Sequence, residues 1–569
     1  MSSSADLLSK STRGASLLVA GQLVTKLFTF LLNQVLIRYI SPKVFGVSSY
    51  LEVLLSTALF FSREGVRLSI QRTEKAEELD EDDKIEEKKG NSGTSSKYVD
   101  HTIEGTHQSI LNFGYVAIIV GVPISLILSY WQSNSQILTE QITFLAYNKQ
   151  SLVLVWLSLV LELLVEPLYV LNQFQLDFGK RTKFESSATL ARCISTFAVV
   201  LLGERFVKGK DTAMRDGVAV LAFSIGQFCY SCTIFILYQL DFRKLNKGEK
   251  LSLKIQKIFK SANSDSFYYF NPKIFLIWKN IFIQMVFKQF LTEGDRLLIN
   301  YVCTVEEQGV YSVITNYGSL IARLLFQPIE ESLRLYLTKL LSNPKSENVA
   351  ISKQIMSYLS KFYLYLSILI SIGGYTNGSF LLKMLLGKGA SYNWLHTDLF
   401  AVFPQYILYI PFLAFNGILE SFFNSVATKE NIANHSVFMS ISTVIFLSAS
   451  YFFIEYLKLG LSGLILANTV NMTIRIIYCA YFIQQYYKKL DQQFDIKSVT
   501  KSILLPLGVG VVTEHLQYYI LHQKLMTLAL SDFFKSLALC LTFLMFALFL
   551  ERHLILSAIS SFLKKNKTD

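Results

Sequence analysis

Long apolar blocks dominate this chain. Stretches of roughly 20 or more mostly apolar residues recur from one end to the other, each long enough to cross the hydrocarbon of a bilayer as a helix. In lipid every backbone N–H and C=O must find its partner within the protein, so spanning segments of this length are helical. Fourteen can be counted, over approximately 14–40, 44–70, 107–131, 150–175, 184–206, 216–238, 274–301, 308–335, 352–374, 398–424, 431–455, 460–487, 500–521 and 530–550. Charged residues make up 17% of 569 positions, against about 25% in soluble proteins. The chain reads as an all-α polytopic membrane protein.

The net charge of +12 does not point to nucleic acid, because the basic residues stand mostly between the apolar blocks. Both tails and the loops after even-numbered spans hold about 29 Lys and Arg, the loops after odd-numbered spans about 10. By the positive-inside rule both termini are cytoplasmic. Met1 to Arg13 is polar and the first apolar block is of full spanning length, so no cleavable signal peptide is expected. Six cysteines lie within or beside apolar blocks, which argues against a disulfide framework. Asn377-Gly378-Ser379 is a glycosylation sequon that falls in an expected non-cytoplasmic loop.

Two cytoplasmic loops differ in character. Residues 73–105, of mixed charge with Gly and Ser, read as disordered. In 249–260, Leu251, Ile255, Ile258 and Phe259 share one helical face with Lys250, Lys254, Lys257 and Lys260 beside it, which predicts a basic amphipathic helix lying on an anionic leaflet.

The chain also repeats itself. Leu36-Ile37-Arg38-Tyr39-Ile40 followed by Gly46-Val47-Ser48-Ser49 is matched about 260 positions later by Leu298-Ile299-Asn300-Tyr301-Val302 and Gly309-Val310-Tyr311-Ser312. Six spans separate the copies, and an even number preserves orientation. The expected architecture is two six-helix lobes related by a parallel repeat, with two C-terminal helices appended. Residues 1–238 would form the first lobe, 239–273 a linker, 274–487 the second lobe, and 488–569 the last two spans and tail.

Charges inside the spans carry the functional signal. A charge at the bilayer centre costs roughly 2.5–3.5 kcal/mol on insertion scales, and such groups usually face a protein interior or a watery cavity. Ser62-Arg63-Glu64-Gly65-Val66-Arg67 puts three of them in the second span. Arg63 and Arg67, four apart, share a helix face, as do Glu162 and Glu166 in the fourth span, with Pro167 following. Arg192 lies in the fifth span, Lys288, Glu293, Asp295 and Arg296 in the seventh, and Arg323, Glu330, Glu331 and Arg334 in the eighth. Acids and bases nearly balance and concentrate in the first eight spans. That pattern fits a hydrophilic cavity between two bundles, open to the cytoplasm. Arginine keeps its charge at any relevant pH and grips phosphate oxygens with paired donors. An alternative use of each arginine is to be tied to a neighbouring glutamate, fixing the packing.

Several chemistries find no support. There is no Walker-type phosphate loop, no His/Cys/Asp cluster with metal-ligand spacing, no Ser–His arrangement, and no large non-cytoplasmic loop such as a glycosyltransferase would carry. No cofactor is expected, and the chain reads as a transporter or binding protein rather than an enzyme.

Over its whole length the sequence resembles the Rft family, the oligosaccharide translocation proteins of the endoplasmic reticulum. The resemblance rests on Phe61-Ser62-Arg63-Glu64-Gly65-Val66-Arg67, Glu166-Pro167, Phe290-Leu291-Thr292-Glu293-Gly294-Asp295-Arg296, Asn316-Tyr317-Gly318-Ser319-Leu320 leading to Arg323, and Phe326-Gln327-Pro328-Ile329-Glu330-Glu331. It implies the multidrug/oligosaccharidyl-lipid/polysaccharide exporter fold and a role in N-glycosylation, at the step where a dolichol-diphosphate heptasaccharide crosses the endoplasmic reticulum membrane. Arg63, Arg67 and Arg323, with Lys288 and Arg192, are then candidates for the diphosphate. Glu64, Glu166, Glu293, Asp295, Glu330 and Glu331 are candidate cavity acids. The expected partners are the dolichol-linked oligosaccharide, membrane lipids and enzymes of the glycosylation pathway. Three readings stand: a flippase, a non-transporting protein that binds or presents the same lipid, and an ion-coupled exporter using Glu166 or Glu293.

Overall fold

The computed structural model describes the chain over 34–71, 98–133, 141–282 and 302–552, short gaps apart. The expected first span up to residue 33 and most of the seventh, with Lys288, Glu293, Asp295 and Arg296, lie outside the described residues. Ten of the described helices are long and apolar enough to cross a membrane. The protein is a predominantly helical, multi-pass membrane protein.

It divides into two compact units, Met1–Arg296 and Leu297–Asp569. In the first, five long helices are described: α1 (Pro42–Gln71), α2 (Ile103–Ser133), α3 (Asn148–Phe174), α4 (Phe178–Val207) and α5 (Thr212–Leu245). Local chemistry fixes where α1 starts. Pro42 supplies the φ suited to a first helical position, and the Ser41 hydroxyl accepts the Val44 N–H at 3.3 Å as an N-cap. The Ser41 hydroxyl donates in turn to Asp216 of α5 at 3.0 Å, pinning two helix ends together. Helices in lipid gain little from apolar burial and associate by close packing. Gly114 of α2 accordingly faces Pro167 of α3, where an added Cβ would stand 2.4 Å from the proline Cα. The core of this unit runs through Val66 and Ile70 of α1, Leu111 and Phe113 of α2, Leu168 and Leu171 of α3, and Ile234 and Tyr238 of α5.

The linker departs from expectation. Residues 251–257 are not helical, and the next two residues form a strand, Ile258–Phe259. That strand (β2) sits between β1 (Tyr98–Val99), which it meets in parallel, and β3 (Phe267–Tyr268), which it meets antiparallel. The amphipathic helix predicted over 249–260 is therefore replaced by a strap. The physical reason is a competing set of backbone partners. Gln108 of α2 accepts the Ser252 N–H at 2.8 Å and donates to the Ser252 carbonyl at 2.8 Å. One turn on, Asn112 accepts the Gln256 N–H at 3.1 Å and donates to the Gln256 carbonyl at 2.7 Å and the Tyr269 carbonyl at 2.9 Å. Both amides are fully buried. The same strands show that 98–105, the end of the segment expected to be disordered, is β1 and the start of α2; residues 73–97 lie outside the described residues.

Residues 272–279 are helical and pack on the first unit, with Ile274 in its core and the Trp278 indole 3.3 Å from where a Cβ on Gly65 would stand. The opening of the expected seventh span thus lies beside α1, within the first compact unit.

The second unit holds α6 (Val305–Ile321), α7 (Gln327–Leu341), α8 (Ser346–Leu369), α9 (Tyr375–Trp394), α10 (Leu399–Val426), α11 (Lys429–Tyr451), α12 (Gly460–Lys489), α13 (Ile496–Ile520) and α14 (Leu530–Leu550). A capping box, Thr304 with Glu307, starts α6. Single π turns, Ala322–Phe326 and Ile370–Gly374, join α6 to α7 and α8 to α9, and a third, Phe452–Tyr456, ends α11. Such turns leave carbonyls out of regular i→i−4 register. The α8–α9 rod overturns one sequence expectation. The stretch 375–397, read as a loop carrying the sequon, is helical through Trp394, broken in conformation only at Gly387, where φ is 77°. Asn377 is buried, and its amide donates to the Gly373 carbonyl at 2.8 Å and to Ser536 of α14 at 2.7 Å.

Candidate functional site

In the first unit four helices each bring a polar stripe to one place. The spacing follows from 3.6 residues per turn. On α1 Glu52, Arg63 and Arg67 fall on one face, on α3 Glu162, Glu166 and Tyr169, on α4 Arg181, Glu185 and Arg192, and on α5 Gln227 and Ser231.

The side chains form one connected network. Arg63 Nη1 donates to Glu162 Oε2 at 3.1 Å and stands 3.8 Å from Glu166 Oε1. Arg67 is bidentate on Glu166, through Nε at 3.0 Å and through Nη2. Its guanidinium also lies over the Tyr169 ring, 3.6 Å from the centroid, and Arg181, paired with Glu185 at 3.0 Å, approaches the same ring at 5.3 Å. Glu162 is the hub. Besides Arg63 it accepts from Gln227 at 2.9 Å and Ser231 at 3.2 Å. Gln227 in turn accepts from Arg192 at 3.2 Å, and Arg192 donates to Glu52 at 3.2 Å.

Burial ranks these groups. Glu166 is 1% exposed and Glu162 5%, Arg67 14% and Arg63 27%. The acids sit inside and the guanidinium groups cover them. An isolated carboxylate at such depth is costly, whereas a paired and hydrogen-bonded one is tolerated. The two arginines are not equivalent in what they hold back. Arg67 spends two donors and its π face within the protein, while Arg63 spends one nitrogen, and its Nε and Nη2 have no partner among the described residues. Glu64, although adjacent in sequence, is half-buried and takes no part in these bonds.

The second unit holds a different kind of cation. Arg323, in the π turn after α6, donates through Nη2 to the Asn316 carbonyl at 2.7 Å and side chain at 3.1 Å, and through Nε to the Ser319 carbonyl at 3.4 Å. Its partners are neutral oxygens, so its charge is not cancelled by a bonded acid among the described residues. Glu330 of α7 rests its carboxylate against Gly417 of α10, where a Cβ would come within 1.9 Å of Oε1. One turn beyond, Glu420 accepts from Arg475 at 2.7 Å and from Asn416 at 3.0 Å. Glu331 and Arg334 are exposed.

The geometry brings Arg63, Arg67, Arg192 and Glu166 into one network and leaves Arg323 and Glu330 in separate places of the second unit. Sequence reasoning counts Glu52 and Glu162 among the charges of the spans without giving them a role, and passes over Tyr169, Gln227 and Ser231. The signal for them was present: Tyr169 stands seven residues after Glu162, and Gln227 and Ser231 are four apart in the mostly apolar middle of α5.

The model of the family described as "Rft protein" matches residues 10–561. The chain belongs to the Rft family. A relative from Candida albicans, "Man(5)GlcNAc(2)-PP-dolichol translocation protein RFT1", is 44% identical over 519 residues, covering 88% of this chain and 87% of its own. A protein with the same description from Saccharomyces cerevisiae is 41% identical over 502 residues, 86% and 85% of the two chains. One from Xenopus tropicalis is 27% identical, with 85% and 84% covered. Among solved structures, "Lipid II flippase MurJ, inward closed conformation" superposes with a TM-score of 0.59 at 15% identity, covering 95% of this chain and 99% of that one. An inward-facing multidrug resistance MATE family transporter of the MOP superfamily gives 0.51 at 11% identity, with 82% and 98% covered. At such identities the Rft chain shares with these two a fold, which is the exporter fold expected from the sequence.

Proposed function

We propose that this Rft-family chain moves the dolichol-diphosphate-linked Man5GlcNAc2 oligosaccharide between the leaflets of the endoplasmic reticulum membrane, toward the lumen, for protein N-glycosylation. The observation that carries this reading is the near full-length identity, 44% and 41%, to two yeast proteins described as translocating that lipid. The fourteen-span arrangement in two repeated lobes, cytoplasmic termini, a role as transporter rather than enzyme, and contact with glycosylation enzymes belong to the same proposal.

Within it, Arg63 is the foremost ligand for the diphosphate. Two of its nitrogens have no partner among the described residues, and diphosphate oxygens accept paired N–H donors at close to twice the strength of neutral hydrogen bonds. Arg192 and Arg323 assist, the latter because no acid among the described residues is bonded to it, and Lys288 is assigned to the same anion. Arg67 acts chiefly by holding Glu166, which keeps α1 and α3 in register beneath Arg63. Glu64, Glu166, Glu293, Asp295, Glu330 and Glu331 orient these cations or meet sugar hydroxyls. A second reading, binding and presentation without movement, draws on the same network, because ion pairs linking four helices stiffen a unit as readily as they line a path.

The experiment is translocation of labelled heptasaccharide lipid in vesicles holding the purified protein. Wild type is expected to equilibrate the lipid between leaflets, and Arg63→Ala to slow this at least tenfold per folded molecule, as should Arg63→Ala/Glu162→Gln, which leaves no buried carboxylate uncompensated. Retained binding with no movement by wild type selects the second reading, and no binding at all removes both.

A further inference from the structure

Gln108, Asn112 and Tyr115 lie at i, i+4 and i+7 on α2, and all three bond the strap's main chain. Gln108, which holds Ser252, lies roughly 8 Å along the helix axis from Ile103, and Tyr115, further along, donates to the Leu253 carbonyl. At 31 residues α2 is about as long as a bilayer with its headgroups is thick. The strap therefore runs beside α2 at the depth of the headgroups and the outer hydrocarbon. Non-helical backbone survives there only if its polar groups are satisfied, and the α2 amides supply that.

The side chains that this frees point outward. Leu253 and Ile255 are 38% and 39% exposed, and Lys254, Lys257 and Lys260 are exposed among them. Lys257 holds its ammonium over the Phe267 ring, 4.3 Å from the centroid, a cation–π contact that keeps the charge at this surface. Where the strap passes the end of α5 lies a cavity of about 400 Å³ lined by Gln239, Phe242, Arg243, Asn246 and Leu253. Its walls combine two amides, two apolar side chains and one guanidinium, and no carboxylate pairs with Arg243 among the described residues. Between 239 and 273 the chain has eight Lys and Arg against three Asp and Glu.

We propose that this junction of α5 and the strap binds the headgroup of an anionic phospholipid of the adjoining leaflet. Arg243 and Lys254 take its phosphate and acidic substituent, Lys257 adds to the field, and Leu253 and Ile255 lie against its acyl chains. This site is separate from the arginine network and serves a lipid that stays in its leaflet. Juxtamembrane basic residues each add about fivefold to such binding.

The test uses the full chain in nanodiscs of phosphatidylcholine, titrated with fluorescent phosphatidylserine. Wild type should bind it at least tenfold more tightly than fluorescent phosphatidylcholine. The variant Arg243→Gln/Lys254→Gln/Lys257→Gln should lose most of that difference while unfolding at the wild-type temperature in pure phosphatidylcholine. Leu253→Asn/Ile255→Asn, with every charge kept, should also weaken binding. Equal affinity for the two lipids, or an affinity indifferent to added salt, overturns the proposal without recourse to any variant. Displacement of phosphatidylserine by millimolar inorganic phosphate would assign the site to a free anion and overturn the lipid reading.

Discussion

Glu166 and Glu52 make the same kind of bond to arginine in surroundings that could hardly differ more. Glu166 is 1% exposed and bidentate with Arg67, whereas Glu52 is 62% exposed and shares Arg192 with Gln227. Removing one partner of a buried pair leaves an uncompensated charge and costs about 3–5 kcal/mol, while an exposed pair contributes about 1 kcal/mol or less. Thermal unfolding in detergent should therefore show a large loss of stability for Glu166→Gln and almost none for Glu52→Gln. The double variant Glu166→Leu/Arg67→Met should be less damaged than Glu166→Gln alone, because it strands no charge. An equal effect of Glu166→Gln and Glu52→Gln would mean that burial does not rank these pairs. Sequence spacing already places Arg63 with Arg67 on one face of their helix, and Glu162 with Glu166 on one face of theirs. It could not tell which arginine would be spent on which acid, since that depends on rotamers and on Tyr169 closing over Arg67.

At the scale of elements, α1 to α5 begin and end close to where apolar runs and their flanking polar residues put them. Two misreadings share one cause. The stretches 249–260 and 375–397 were judged by their own composition, whereas their conformation is decided by what they meet. In the first, Gln108 and Asn112 outbid a helix's own hydrogen bonds. In the second, a stretch whose opening Asn377-Gly378-Ser379 resembles a loop is helical, and Asn377 docks on Ser536, which also accepts from Gln517 of α13. An amide held in this way cannot enter an oligosaccharyltransferase site. Protein recovered from a secretory-pathway membrane should carry no glycan at Asn377, and endoglycosidase treatment should leave its gel mobility identical to that of Asn377→Gln. A shift seen only in wild type would show that the rod opens at this point.

For the molecule as a whole, the sheet gives a check on topology that is independent of charge counting. Tyr98 pairs with Ile258 and Val99 with Phe259, so the segments after α1 and after α5 reach the same membrane face. Loop charge assigns that same face to both and predicts that it is cytoplasmic. Cysteines placed at Asp100 and Lys260 should both react with a membrane-impermeant maleimide added from the cytosolic side of sealed microsomes, and neither from the lumen; reaction from opposite sides would break the topology. Family membership and the transporter fold were legible because membrane proteins write their spans in composition and Rft motifs are dense. The approach of Trp278 to Gly65, on a helix more than two hundred residues away, was not, because nothing in the spacing of either segment records it.

The clasp between α2 and the strap has an evolutionary side. Gln108 and Asn112 grip peptide groups, not side chains, so what they recognise is present whatever residue occupies 252, 254 or 256. Proline alone is barred at 252 and 256, where the N–H itself is held. The strap can thus change its charge and greasiness from lineage to lineage without losing its seat, which leaves its outer surface open to selection by the membrane each organism makes.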